Sequence, residues 1–315
     1  MRVIVAGAGA LGSLLGGYLA RAGEQVLLVG REAHVKAISE QGGLRVSGVP
    51  GEITIPVQAA TTVSTVAAQN GPADLVILGA KSQEVQEVLD LLRPVMGPQT
   101  QILSPQNGVA AEQMVAEAYG KDHSLPAVTT INVRVAGPGH LFHGAENHLE
   151  LGPLGHQEAA TMEKVVDAFN RAGIITTARS DIMQLKWRKM AVFCNGSIVN
   201  ALTGLQRLAD DADVCELRRE LAEEMIAVVE AAQLTPFPIR PLVEQGYSHW
   251  ETFRPLDPWL ASVGQDLRKG KPRTEIDFLN GYIVKLGRQY GVRTPVHHCI
   301  YTLIKSIEQT GYLKQ

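Results

Sequence analysis

Cysteine is scarce in this chain, whose 315 residues include only Cys194, Cys215 and Cys299, with no pair spaced as CxxC. This scarcity argues against a disulfide framework or a thiolate metal site and fits a reducing cytoplasm. Long apolar runs are also lacking. No stretch reaches the ~18 uninterrupted apolar residues of a membrane-spanning helix, and the opening Val-Ile-Val run is too short for a signal-peptide core. We therefore expect a soluble, cytoplasmic protein without a membrane partner.

An excess of charge of one sign is absent as well. The formal net charge is -3, which gives no electrostatic reason to expect nucleic acid as a partner. The chain is 45% hydrophobic and 19% charged, as expected of a globular protein with a buried core. At roughly 100–200 residues per domain, this length predicts two domains. The oligomeric state stays open, because apolar residues of the last helices suit either a homodimer face or the core.

The first half of the chain alternates short β-branched runs with helical patterns, which predicts a parallel sheet built from βαβ units. The predicted strands are Arg2–Ala6, Gln25–Val29, Ala73–Gly79, Gln101–Leu103, Pro126–Val135 and Asn147–Gly152. Helices are predicted at Leu11–Ala22 and about Gln83–Leu92, and the glycine-rich stretch Gly137–Gly144 is predicted to be a connection.

From about Asp181 onward, helical periodicity dominates and strand signals almost vanish. The clearest predicted helices are Leu185–Val199, Val214–Ala232 and Glu275–Tyr290. We therefore predict an α/β domain at 1–179 and an all-helical domain at 180–315.

The most specific motif is GAGALG at residues 7–12, which follows a predicted strand and opens a predicted helix. Gly7 permits the tight turn, Gly9 lets the backbone approach a pyrophosphate, and Gly12 allows close packing of helix and strand. The helix N-terminus offers unpaired N–H groups to phosphate. The other predicted cofactor-binding residues of the loop are Ala8, Ala10 and Leu11. The N-terminal domain is thus predicted to be a doubly wound, mostly parallel Rossmann domain.

The end of the second strand indicates which dinucleotide is bound. NAD enzymes usually place Asp or Glu there to bind the ribose 2′-hydroxyl. This chain has Arg31 at that position, followed by Glu32. A guanidinium can bind a 2′-phosphate through two donors, whereas a carboxylate would repel it. We therefore predict NADP(H) as the cofactor, with a solvated Arg31 as the alternative.

Two further predicted strands end in polar residues. Lys81 follows one strand and Asn107 follows the next, at the edge where doubly wound sheets bind ligands. Lys81 could neutralise a phosphate or lie near the nicotinamide. Asn107 could hydrogen-bond the cofactor ribose or the substrate. Ordinary loop chemistry explains either residue equally well.

Several motifs together resemble the ketopantoate reductases (2-dehydropantoate 2-reductases) over nearly the whole chain. In order, they are the glycine loop, Lys81, Gln106-Asn107-Gly108, Leu185-Lys-Trp-Arg-Lys189, Asn200-Ala-Leu-Thr203 and Arg273-Thr-Glu275-Ile-Asp-Phe-Leu-Asn280-Gly281. The last motif and the Trp-Arg-Lys element are quite specific to that family, whereas many dehydrogenases share the glycine loop.

The resemblance implies a reaction and roles for individual residues. Family members reduce 2-dehydropantoate to pantoate with NADPH, a step toward pantothenate and coenzyme A. By resemblance, Lys189 would be the general acid and Glu275 would hold the substrate. Ser262, just before Gln265-Asp266, would bind the substrate carboxylate, and Asn107 would bind substrate or cofactor.

The chemistry independently supports a lysine as proton donor. Hydride transfer to a ketone carbon leaves an alkoxide that needs a positioned acid. A partly desolvated lysine has a lowered pKa and is then a better acid near neutrality. Without the resemblance, Lys189 would be interpreted as one member of a solvated basic cluster with Lys186 and Arg188.

One position departs from the family pattern. The family often has Lys-x-x-x-Asn-x-x-x-Asn along this helix, but here Phe193 stands four residues after Lys189, and the asparagines are Asn195 and Asn200. In an unbroken helix Asn200 would lie on the face of Lys189 but about 16 Å further along the axis. A break at Gly196 would change this geometry, and Asn195 would reach that face only if the helix bulged. Both asparagines are predicted to bind substrate, and Phe193 leaves the substrate's identity open.

Three other functions remain as alternatives. The first is reduction of a different 2-oxo acid or ketone, and the second is a non-catalytic NADP(H)-binding sensor. The third is a reductase of glycerol phosphate type, which would use a basic cluster at Arg268, Lys269, Lys271 and Arg273. No metal is predicted, because His140, His143, His148 and His156 lack a compact ligand spacing.

Overall fold

The computed structural model describes residues 1–63, 71–205, 208–252 and 262–312. Its contacts divide the chain into two units. The α/β unit comprises Met1–Gln106 and Ala111–Ile182, and the helical unit comprises Asn107–Ala110 and Met183–Gln315. Within the described residues, no helix is both long and apolar enough to cross a membrane.

The α/β unit contains the strands. In chain order they are β1 (Arg2–Ala6), β2 (Gln25–Val29), β3 (Leu44–Gly48), β4 (Ile53–Ile55), β5 (Gln58–Ala60), β6 (Leu75–Leu78), β7 (Gln101–Ser104), β8 (Ser124–Thr129), β9 (Val133–Gly137), β10 (His140–His143), β11 (His148–Leu151) and β12 (Ile175–Ala178). The helices of this part are α1 (Ala10–Arg21), α2 (Glu32–Glu40), α3 (Val85–Leu91), α4 (Ala110–Tyr119) and α5 (Ala159–Arg171).

The main sheet has the strand order β12-β11-β8-β7-β6-β1-β2-β5. Neighbouring strands in the run β5-β2-β1-β6-β7-β8 are all parallel. Strand β11 pairs antiparallel with β8. Central strands are apolar on both faces: Val3 and Val5 of β1 pack with α1 and α5, while Ile4 and Ala6 pack with α3 and α4. Burial on both faces explains why these strands have continuous apolar sequences.

A second, four-stranded sheet has the order β4-β3-β10-β9, and it corrects two predictions. The single strand predicted at Pro126–Val135 is two strands, β8 in the main sheet and β9 in the small one. The predicted connection Gly137–Gly144 contains β10, which pairs parallel with β3. Apolar alternation continues through residues 126–135, so the pattern could not show where the chain changes sheets.

The helical unit is built from α6 (Ile182–Val192), a π-helical segment (Phe193–Ser197), α7 (Ile198–Thr203), α8 (Ala212–Ala231), α9 (Arg240–Thr252), α10 (Ser262–Arg268), α11 (Asn280–Tyr290) and α12 (Pro295–Thr310). Its core joins Trp187 and Met190 of α6 to Met225 of α8 and Ile283 of α11. The fold class predicted from the sequence is thereby confirmed. The domain boundary between residues 179 and 180 stays a prediction.

Two predicted helices differ from the observed ones. The continuous helix predicted at Leu185–Val199 is interrupted by the π-helical segment, where the buried Arg218 donates from Nε to the carbonyl of Asn195 at 3.0 Å. A side chain that bonds a helix carbonyl disturbs the regular ladder, and Gly196 lowers the cost. The helix predicted from Glu275 begins at Asn280, because Glu275–Phe278 forms a 3₁₀ turn.

Candidate functional site

The glycine loop, residues 7–12, packs against the end of β6. Gly7 has φ +95°, and a Cβ at that residue would lie 2.5 Å from the amide nitrogen of Ala80. A Cβ at Gly12 would lie 2.9 Å from the carbonyl oxygen of Gly7. The loop therefore tolerates no side chain at either position, and its backbone stays accessible.

The first turn of α1 is suited to an anion. Gly9 is the N-cap residue and supplies no side-chain hydrogen bond, and the first turn contains no acidic residue. The leading N–H groups of a helix lack intrahelical acceptors, and the helix dipole is positive at this end. These residues therefore fit the phosphates of a dinucleotide.

Gln106 fixes the loop after β6. Its buried Nε2 donates to the carbonyl of Leu78 at 2.7 Å and to that of Ala80 at 3.0 Å. Lys81 follows as the N-cap of the 3₁₀ turn Ser82–Glu84 and is partly exposed. Lys81 was predicted from the sequence as a cofactor-binding residue. The positioning role of Gln106 was not predicted, because a glutamine after a strand does not by itself indicate one.

Arg31 follows β2 and is the N-cap residue of α2. The strand end is held at the glycine loop, where the amide of Ala8 donates to the carbonyl of Val29 at 2.7 Å. The Nη2 atom of Arg31 lies 3.2 Å from Oε1 of Glu84. Sequence analysis missed Glu84, because 53 residues separate it from Arg31 and only the parallel order β2-β1-β6 brings the two strand ends to one edge.

Three predicted site residues meet in the helical unit. The Ser262 hydroxyl donates to Oε2 of Glu275 at 2.8 Å, and the Asn107 amide donates to the same oxygen at 3.5 Å. Glu275 is 5% exposed. The result is a buried carboxylate beside a hydroxyl and an amide, a set of groups that can hydrogen-bond a small polar molecule.

Two features hold this cluster in place. Gly108 has φ +84°, and a Cβ there would lie 2.8 Å from the carbonyl oxygen of Phe278, so the turn after Asn107 packs directly on the 3₁₀ turn of Glu275. Behind Glu275, the buried Glu308 accepts hydrogen bonds from the backbone N and the Oγ1 of Thr274, at 2.7 and 2.8 Å. Thr274 in turn caps the 3₁₀ turn through Oγ1.

Lys189, near the end of α6, has a strongly lowered pKa. Burial of its ammonium is the main reason that its pKa falls to about 8, and the positive charge of Lys186 lowers it further. The negative charge of Glu275 acts in the opposite direction and raises the pKa. Part of the Lys189 side chain remains at the surface. An ammonium with this pKa can donate a proton near neutral pH.

Lys186 provides a second buried amine close to Lys189, and no role was assigned to it from the sequence. The alternative of a solvated basic cluster does not hold for Lys186, which is only 2% exposed, whereas Arg188 is on the surface. Lys186 and Lys189 are three residues apart and therefore lie on one face of α6. Only the packing of α6 distinguishes a buried lysine from a solvated one.

The two predicted asparagines occupy different environments. Asn195 lies inside the π-helical segment, is fully buried, and neither of its side-chain polar atoms has a hydrogen-bond partner. Asn200 is also buried, and its amide donates to the carbonyl of Leu205 at 2.7 Å. One donor of Asn200 is thus committed to the chain after α7, while Asn195 keeps its full bonding capacity.

Family models match both halves of the chain. Residues 3–156 match the family described as Ketopantoate reductase PanE/ApbA, and residues 181–308 match Ketopantoate reductase PanE/ApbA C terminal. This chain belongs to the ketopantoate reductase family. It is therefore an oxidoreductase of that family, whose members act on small molecules, and the resemblance inferred from its motifs is confirmed.

Individual ketopantoate reductase relatives match over their full length. The 2-dehydropantoate 2-reductase of Pyrococcus abyssi is 31% identical over 313 residues, covering 98% of each chain. That of Pyrococcus horikoshii is 29% identical and covers 99% of each. A PanE/ApbA family ketopantoate reductase structure from Ralstonia eutropha JMP134 has a TM-score of 0.83 and 30% identity, over 99% of this chain and 100% of its own.

A D-mandelate dehydrogenase solved with NADH and anilino(oxo)acetate shares the fold. Its TM-score is 0.87 at 24% identity, and all of both chains is covered. At this identity the likeness concerns the fold alone. The ketopantoate reductase fold is thus found in proteins named for different substrates.

Proposed function

We propose that this chain reduces 2-dehydropantoate to pantoate with NADPH, a step toward pantothenate and coenzyme A. The observation that carries the proposal is the Lys189 ammonium, whose pKa of about 8 responds to the charge of Glu275. Glu275 accepts hydrogen bonds from Ser262 and Asn107. The family and its full-length 2-dehydropantoate 2-reductase relatives support the choice of reaction.

The cofactor proposal depends on the α/β unit. The glycine loop, with the uncapped first turn of α1, would hold the pyrophosphate of NADP(H), and Arg31 would bind the 2′-phosphate. Lys81, at the end of β6, would add positive charge. Asn107 would bind the cofactor ribose or the substrate. The bound nicotinamide would supply the hydride that reduces the keto carbon.

The proton step can be argued from the helical unit. As the keto carbon becomes tetrahedral, its oxygen gains negative charge and must be neutralised. Lys189 would donate its proton to that oxygen and leave a neutral amine, which water then reprotonates. Its pKa of about 8 is close to neutral pH, where both the acid form and the driving force for donation are favourable.

The remaining residues would bind the substrate. Glu275 would accept a hydrogen bond from a substrate hydroxyl. Ser262 would bind the carboxylate, for which its hydroxyl must turn away from Glu275, since a serine has one proton to donate. Asn195 would bind the substrate through its side-chain amide, whose two polar atoms have no hydrogen-bond partner. Asn200 would bind it through the bonding capacity that remains after its amide donates to the carbonyl of Leu205.

The test is an assay of NADPH oxidation with 2-dehydropantoate, run with wild-type protein and Lys189→Ala. We expect turnover that prefers NADPH to NADH and falls about 10²–10⁴-fold in the variant, the range for loss of a general acid. Cofactor binding should be unchanged, since Lys189 is not among the residues proposed to hold the dinucleotide. Tight NADPH binding without turnover on any keto acid would favour the sensor instead.

A second candidate is reduction of a 2-oxo acid with an apolar side chain. It is favoured by the half-buried ring of Phe193, whose centroid is 5.8 Å from Nζ of Lys189. An apolar surface beside the proton donor favours an apolar substituent and offers no hydrogen bond to a hydroxyl. A panel comparing 2-dehydropantoate with branched and aromatic 2-oxo acids separates the two candidates by kcat/KM.

The cytoplasm remains the proposed location. Cys194, Cys215 and Cys299 are all unpaired, which suits a reducing compartment. We also propose the end of the helical unit as a homodimer face, since Tyr290 and Leu303 are exposed there. Sedimentation of the wild-type protein and of Leu303→Glu tests that face.

A further inference from the structure

The guanidinium of Arg31 forms an ion pair with the carboxylate of Glu84. Oε1 of Glu84 lies 3.2 Å from Nη2 of Arg31, and both residues belong to the α/β unit. Arg31 is the residue proposed to bind the 2′-phosphate of NADP(H), whereas Glu84 has no part in that proposal. A carboxylate at this place would also influence which dinucleotide binds.

The backbone keeps this ion pair next to the glycine loop. Gly30, which precedes Arg31, donates from its amide to the carbonyl of Ala60 at 3.0 Å. A Cβ at Gly30 would lie 2.8 Å from Cβ of Ala8. Glu84 closes the 3₁₀ turn that begins directly after Lys81. The pair therefore lies between two loops that both follow strands at one edge of the sheet.

Both side chains of the pair are open to solvent, so another anion can replace Glu84 as the partner of Arg31. The Arg31 side chain is 86% exposed and that of Glu84 is 43% exposed. An ion pair so open to water is weak and sensitive to salt. A phosphate dianion forms stronger, bidentate bonds with a guanidinium and would displace the carboxylate. The displaced Glu84 would then repel the dianion.

We propose that Glu84 sets the cofactor preference by competing with the 2′-phosphate for Arg31. With NAD(H), which lacks this phosphate, the pair stays intact and the 2′-hydroxyl meets no repulsion. With NADP(H), Arg31 must leave Glu84, and two like charges are brought together. Glu84 thus weakens NADP(H) binding. The affinities for NADP(H) and NAD(H) are then closer to each other than they would be if Arg31 were present without Glu84. The inference rests on the proposed function insofar as it takes the glycine loop as the dinucleotide site.

The test compares NADPH and NADH binding, by cofactor fluorescence at low salt, in wild-type protein and in Glu84→Gln. We expect Glu84→Gln to tighten NADPH binding about 3–10-fold and to change NADH binding less than about twofold, with a smaller gain at high salt. Glu87→Gln is the matched control. Glu87 is an exposed glutamate on α3, one turn away, so the net charge changes equally.

A second pair of variants distinguishes competition of Glu84 for Arg31 from simple repulsion between Glu84 and the 2′-phosphate. In an Arg31→Gln background the gain from Glu84→Gln should shrink, because no guanidinium remains to be released. An equal gain in both backgrounds, or an equal gain from Glu87→Gln, would overturn the inference while leaving NADP(H) as the cofactor. If wild-type protein and Glu84→Gln bind neither dinucleotide, the proposed function fails together with the inference.

Discussion

The Nζ atom of Lys189 lies over the ring of Phe193, 5.8 Å from its centroid. The face of an aromatic ring carries negative charge and attracts an ammonium, but it accepts no ordinary hydrogen bond. Phe193 thus partly compensates the lost hydration of Lys189. An asparagine at the same position, as the family often has, would offer a carbonyl oxygen to the ammonium and an amide to the substrate.

The charges around Lys189 predict the pH dependence of reduction. Lys189 must be protonated to donate, so the rate should fall as the pH rises through about 8. Lys186 lowers this pKa and Glu275 raises it. Lys186→Met should therefore move the fall in rate to higher pH, and Glu275→Gln should move it to lower pH.

The measurement is kcat/KM for 2-dehydropantoate as a function of pH, because this ratio reports the pKa of Lys189 before the substrate binds. Arg188→Met is the matched control for Lys186→Met, because it removes a positive charge from the exposed side of α6. Arg188→Met should shift the profile less than Lys186→Met does. If Lys186→Met and Glu275→Gln shift the profile in the same direction, the assignment of Lys189 as the acid is wrong.

The glycine loop predicts a separable loss of cofactor binding. In Gly9→Ala the new methyl group would lie 3.0 Å from the carbonyl oxygen of Gly79, a contact that small movements relieve. The protein should therefore fold, but the backbone could no longer approach the pyrophosphate, and NADPH binding should weaken at least about tenfold. Calorimetric titration with NADPH measures this change.

Gly137→Ala serves as the control for that experiment, since a Cβ at Gly137 meets no atom within 4 Å. Unchanged NADPH affinity in Gly9→Ala would show that the loop does not bind the pyrophosphate.

Phe193 predicts a change of substrate preference. Phe193→Asn would place a hydrogen-bonding side chain beside Lys189 and should raise kcat/KM for 2-dehydropantoate relative to an apolar 2-oxo acid. One hydrogen bond to a substrate hydroxyl corresponds to about a tenfold change in this ratio. The ratio is measured with both substrates at a fixed NADPH concentration. Phe193→Leu, which keeps the surface apolar, should leave it nearly unchanged, and an equal shift in both variants would contradict the proposed role.

His297 predicts instability in acid. It is fully buried in the helical unit, where Nε2 donates to the carbonyl of Leu221 and Nδ1 accepts from Asn280, so the neutral ring is satisfied. Burial lowers its pKa from 6.5 to about 4. Between these values the unfolded state binds the proton and the folded state does not, so stability falls as the pH drops from 6.5 toward 4.

This contribution amounts to about 2 kcal/mol between pH 7 and pH 5. Urea unfolding at the two pH values measures it, with His297→Gln expected to lose less stability than wild type. His298→Gln, which alters the exposed neighbour, should behave as wild type. An equal loss in wild type and His297→Gln would show that His297 does not carry the effect.

Local patterns predicted much of the fold. The strands Arg2–Ala6 and Gln25–Val29 were predicted with their observed bounds, because short apolar runs that end at a glycine are typical of buried strands. The helical second half was likewise evident from its periodicity. The small sheet was missed, since its strands are brief and half-buried, and β10 pairs with β3 almost a hundred residues away.

The sequence alone determined the fold class, the glycine loop and the family, because these depend on residue type and close spacing. Its motifs also named Asn107, Ser262 and Glu275. Only the tertiary structure decided that these three side chains meet, that Lys186 is buried beside Lys189, and that Glu84 pairs with Arg31. Such contacts join residues far apart in the chain or depend on which side of a helix is packed, and neither is encoded in local periodicity.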